Sequence, residues 1–72
     1  MKEYIVDDRT EGYNQLGPFR AANIRMAVNH ALKEWFKKYN PAVEIVDQVH
    51  AWIVLELPGG AKHEYEVGET GT

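Results

Sequence analysis

The run VEIVDQVHAWIVLEL, Val43 to Leu57, constrains the fold more than any other stretch, because fifteen consecutive residues are strand-like. Drawn out as one strand it would span about 50 Å at roughly 3.3 Å per residue. The chain has 72 residues, enough for one domain that buries only roughly 60% of the surface exposed when unfolded. The run therefore has to bend or turn. A turn over Asp47 to His50 is expected, with a bulge there as the alternative.

The run ends at Pro58-Gly59-Gly60, after which AKHEYEV alternates again. A three-residue loop with glycine in a left-handed position makes a tight hairpin and sets its register. Leu57 then pairs with Ala61. One face carries Leu55 opposite His63, Ile53 opposite Tyr65 and Ala51 opposite Val67. The other carries Glu56 opposite Lys62, Val54 opposite Glu64 and Trp52 opposite Glu66. A loop one residue longer or shorter would scramble this sorting into an apolar and an acidic face, so turn chemistry and side-chain pattern agree.

In the first half, KEYIVDD predicts a strand over Lys2 to Asp8, followed by a turn over Arg9 to Asn14. Gly17 and Pro18 interrupt regular structure, and Phe19 with Arg20 is expected to return as a short strand beside the first. Asn23 is placed to cap a helix. From Ile24 the apolar residues Ala27, Val28, Ala31, Leu32, Trp35, Phe36 and Tyr39 recur on one arc, predicting a helix from Ile24 to Tyr39, about 24 Å long, ended by Asn40 and Pro41. The expected fold class is α+β: residues 1–72 form one domain with a small, mostly antiparallel sheet of four or five short strands, ββαβββ or βαββ, and one helix on one face. The expected core is Val6 or Ile5, Phe19, Ile24, Val28, Ala31, Leu32, Trp35, Ile45, Ile53, Leu55 and Tyr65. The tail from Gly68 to Thr72 is expected to fray.

A net charge of −3 conceals an uneven layout. Between Phe19 and Tyr39 five basic residues (Arg20, Arg25, Lys33, Lys37, Lys38) meet one acid, Glu34, leaving +4. Outside it, Lys2, Arg9 and Lys62 meet ten acids, leaving −7. Lys33, Lys37 and Lys38 complement a helix C-terminus, whereas Arg20 and Arg25 lie near the N-terminus, where cations gain nothing. Arg20, Arg25, Asn29, Lys33 and Lys37 form the candidate face for nucleic acid, with phosphates tracking the i, i+4 stripe. Against this stands the acidic remainder, which repels a polyanion within a Debye length of about 8 Å.

Chemistry of other kinds finds little support. With no cysteine and no serine, and its three threonines in a turn and a tail, the chain offers no activated nucleophile. Its three histidines lack metal-ligand spacing. Glu64 and Glu66 share a strand face that offers no pocket to raise a carboxyl pKa. No enzyme activity, metal or cofactor is expected. MKEYIVDDR lacks the basic and apolar regions of a signal peptide and no apolar run approaches a membrane span, so a soluble cytoplasmic protein is expected. The remaining surface is the sheet face left bare by a single helix. Trp52, Val54, Glu56, Glu64 and Glu66, with Asp7, Asp8 and Glu11 nearby, are the candidate partner-binding residues, an aromatic anchor among carboxylates suited to a protein with a basic surface. A second copy of the chain is the other candidate protein partner.

The opening hairpin on YIVDDR, the return through GPF to an asparagine-capped helix and the meander closed by LPGG resemble the layout of small phage and mobile-element proteins, including several anti-CRISPR proteins. The resemblance is one of size, acidity and element order across most of the chain. It implies a stoichiometric, non-catalytic inhibitor that occupies a basic nucleic-acid-binding surface of a host defence complex. With no shared motif, it carries over no functional residue.

Overall fold

The computed structural model describes residues 1–10, 14–37 and 41–70. Along the chain run β1 (Lys2–Asp8), β2 (Gln15–Ala21), α1 (Ile24–Glu34), β3 (Ala42–Ile45), β4 (His50–Glu56) and β5 (Lys62–Glu69). The five strands make one sheet in the order β2-β1-β5-β4-β3. Every neighbouring pair is antiparallel, and α1 covers one face. This is the α+β architecture expected from the sequence, in its ββαβββ form.

The β4–β5 hairpin holds the register that its loop dictates. Trp52 faces Glu66, Ile53 faces Tyr65 and Leu55 faces His63. The Leu57 amide donates to the Ala61 carbonyl at 2.7 Å, and Gly59 and Gly60 have φ of +94° and +90°, a region that L side chains rarely adopt. The long run divides in two as expected. Asp47 Oδ1 accepts from the amides of Val49 and His50, both at 2.8 Å, and this side-chain bracket turns the chain from β3 into β4.

β2 is longer than the sequence pattern predicts. It continues straight through Gly17 and Pro18, whose peptide bond is cis, because both residues sit in a bulge facing the single Ile5 of β1. Gly17 has φ of +106°, and a Cβ there would lie 3.3 Å from both the Tyr4 carbonyl oxygen and the Phe19 amide nitrogen. Only glycine suits that crossing.

Asn23 caps α1 as expected, its side chain accepting from the Met26 amide at 2.9 Å. The helix is shorter than expected. It ends at Glu34 with Trp35 as C-cap, which makes it about 16 Å long. Aromatic packing takes the chain out of the helix. Phe19 and His30 stack with centroids 4.5 Å apart, Trp35 meets both edge-on at 5.5 and 5.7 Å, and Phe36 lies 4.7 Å from Tyr65. Tyr39 and Asn40, expected at the helix end, and Glu11, in the expected turn after β1, lie outside the described residues.

The core is Tyr4 and Val6 from β1, Phe19 and Ala21 from β2, Ala51, Ile53 and Leu55 from β4 and Val67 from β5, closed by Ile24, Ala27, Val28 and Ala31 of α1 and by Phe36. Leu32, Trp35 and Tyr65 pack around it, partly buried. Ile45 is a correction. It was expected in the core and is 39% exposed, because β3 is the outermost strand while α1 packs over β2, β4 and β5. The expected frayed tail is corrected for Gly68 to Thr70, while Gly71 and Thr72 lie outside the described residues. β5 runs to Glu69 at the centre of the sheet, and the Thr70 amide donates to the Glu3 carbonyl at 2.9 Å. No helix among the described residues is long and apolar enough to cross a membrane.

Candidate protein-binding site

Alternation along four neighbouring strands aligns side chains on the face away from α1. One row across the sheet reads Asp7, Glu66, Trp52, Glu44, and the next reads Glu64, Val54, Ala42. Trp52 and Val54 are half-buried, and Glu44, Glu56 and Glu64 are exposed. Ala42, Val43, Glu44, Trp52, Val54 and Glu64 line a shallow groove of about 430 Å³ that opens at the β3 edge.

Cations divide the carboxylates into two sets. The Arg9 guanidinium pairs with Glu66 and lies 3.6 Å from Asp7. Its pKa is pushed above the usual arginine value, first by the hydrogen bond and charge of Glu66 and to a smaller extent by Asp7. His50 reaches Asp47 at 3.4 Å and Glu66 at 3.9 Å. The Asp47 carboxyl is held below its usual value chiefly by the Val49 amide and further by His50. Glu44, Glu56 and Glu64 form no ion pair among the described residues. The groove carboxylates Glu44 and Glu64 thus hold no ion pair among the described residues, with Lys62 opposite Glu56 at the far end of the hairpin, whereas the carboxylates at the β1 end are paired.

Of the residues expected at this face, Trp52, Val54, Glu56, Glu64, Glu66 and Asp7 lie on it together. Asp8 points to the opposite face, is 7% exposed, and its carboxylate accepts from the Thr10 amide at 2.9 Å. Thr10 Oγ1 in turn accepts from the Glu64 amide at 2.6 Å, tying the end of β1 to β5. Asp8 is part of the strand-end structure. Glu44, Ala42 and Val43 belong to the groove and were missed from sequence. A turn over Asp47 to His50 counted symmetrically sets Glu44 opposite Ile53; the observed loop is one residue shorter, with the Val46 amide bonded to the His50 carbonyl, and this shift brings Glu44 opposite Trp52.

The basic residues separate. Arg20, Asn29 and Lys33 line a second groove of about 280 Å³ between β2 and α1, together with Met26 and His30. Arg25 and Lys37 are exposed elsewhere. Among the described residues no group of three histidines or carboxylates is placed to hold a metal ion. No family model, curated protein or solved structure matches the chain.

Proposed function

We propose that the chain is a non-enzymatic protein-binding module whose uncovered sheet face receives a partner with a basic surface. The observation that supports this most is Trp52 beside Val54, Glu44 and Glu64, an aromatic anchor next to two carboxylates that hold no ion pair among the described residues. Binding energy concentrates on aromatic anchors of this kind, and a negative field speeds the approach of a basic partner. The more specific form of the reading, an inhibitor that occupies the nucleic-acid-binding surface of a host defence complex, is supported by the layout resemblance alone.

The test is affinity capture from the source cell with wild type, Trp52→Ala and Glu64→Lys. Glu66 is left intact because it holds Arg9. At least one protein with a basic surface should be enriched by wild type and lost with both variants. Identical captured sets for all three chains, each shown to melt like the parent, would reject this face as the interface.

A second reading, contact with nucleic acid, is supported by the groove that gathers Arg20, Asn29 and Lys33. It predicts a gel shift on duplex or single strands that weakens steeply with salt and with Lys33→Ala. Absence of any shift at low salt would remove it.

A further inference from the structure

Among the described residues no strand pairs with the outer edge of β3, and its backbone is oriented for a partner. β3 pairs with β4 on one side and is the last strand of the sheet. The Val46 amide donates inward to the His50 carbonyl at 3.0 Å. Because inward and outward groups alternate along an antiparallel ladder, the amides and carbonyls of Val43 and Ile45 point away from the sheet. The same two side chains, on the face shared with α1, are 41% and 39% exposed. On the other face the acidic groove holding Trp52 reaches this edge, where Ala42, Val43 and Glu44 line it. Natural sheets usually blunt such an edge with lysine, proline or a covering loop.

We infer that the β3 edge takes an extended partner segment in which apolar residues alternate with lysine or arginine, added to the sheet as a sixth strand. The inference deepens the proposed function and rests on the acidic face being the partner's side. Main-chain bonds to Val43 and Ile45 hold the segment. Its apolar residues cover the Val43 and Ile45 side chains, and its cations fall on the groove side. There a guanidinium or ammonium pairs with Glu44 or Glu64, with the Trp52 ring within the same groove. The two faces of the edge differ in chemistry, so they select an alternating sequence over a blocked one.

A second copy of the chain fits this edge poorly. Two-fold pairing of β3 with itself keeps like faces together, so odd positions meet odd and even meet even. Centred on Glu44 it sets two carboxylates opposite each other. A centre on Ile45 brings Val43 against Asp47. With Val43 as centre, Pro41, which has no amide to give, falls opposite Ile45.

The test is an NMR titration of the labelled chain with three capped heptapeptides: lysine alternating with valine, the same composition in two blocks, and polylysine. The alternating peptide should slow amide exchange at Val43 and Ile45 by about tenfold once its free concentration is roughly ten times its Kd, and should shift the Trp52 indole. The other two should move Trp52 and Glu64 without slowing those amides. Ile45→Pro removes one outward amide while sparing the bonds to β4, a change that edge strands tolerate. With its melting temperature confirmed, it should lose the protection at Val43. Shifts at Trp52 and Glu64 with unchanged exchange at Val43 and Ile45 for all three peptides would overturn edge docking and leave the acidic-face reading standing. No response anywhere would overturn both. Protection at Val43 and Ile45 that rises with protein concentration in the absence of peptide would reject the basic segment in favour of self-pairing.

Discussion

Two single residues hold turns that the rest of the sheet depends on. At Gly17 a φ of +106° strains any L side chain, and a Cβ would also press within 3.3 Å of the Tyr4 carbonyl. Gly17→Ala should therefore destabilise the chain by about 1–3 kcal/mol, read as a lower urea midpoint with unchanged slope; an unaltered midpoint would show that the bulge can relax. Asp47 holds the β3–β4 turn through the amides of Val49 and His50, and its pKa is lowered in the fold. A group depressed in this way contributes stability above its unfolded pKa, and that contribution disappears as pH falls through the folded value. Stability should thus decline as pH drops below about 4. Asp47→Asn, which keeps an acceptor oxygen without the titration, should flatten that part of the pH profile. Equal acid slopes for the two proteins would place the decline on other carboxylates.

At the scale of elements, Asn23 caps the α1 N-terminus, and among the described residues no other side chain and no acidic first-turn residue supports it. Asn23→Ala should cost about 1 kcal/mol, seen as a lower melting temperature and faster amide exchange at Met26. A loss near zero would mean that packing alone holds the helix start. The elements differ in how far they could be read from sequence. The β4–β5 hairpin was legible to the residue, because the Pro58-Gly59-Gly60 loop and the period-two pattern specify the same register. Its consequence for the candidate site was legible too: Trp52, Val54, Glu64 and Glu66 share a face by alternation alone. The helix end was not, since 3.6 periodicity continues through Tyr39 in the sequence and gives no sign that Trp35 packs onto Phe19 and His30. Nor was the length of β2, because Gly17 and Pro18 break most strands and are kept here by a bulge. Ile45 misled for a different reason. Its pattern reads as core, but whether a strand is covered depends on strand order, and that is set by long-range pairing.

Over the whole molecule, charge and topology separate surfaces that the net charge averages together. The helix segment is basic, the opposite sheet face is acidic, and the β3 edge borders the acidic side. The sheet consists of two local hairpins, β1–β2 and β3–β4, each antiparallel and close in sequence except for the β-bulge in the first. They touch through β5, which pairs with β1 on one side and β4 on the other. Isolated two-stranded hairpins are marginal in water, so a fragment ending at Gly60 should show no cooperative thermal transition, whereas residues 1–70 should melt in one step. A sharp melt of the shorter fragment would mean that the helix and one hairpin suffice. During synthesis, the strand that joins the two halves is the last of the six elements to leave the ribosome. Until it does, the nascent chain displays the inner edges of β1 and β4 unpaired and lacks the part of the α1 cover that β5 supplies, so completion of the sheet falls after translation of β5 and cannot proceed in step with it.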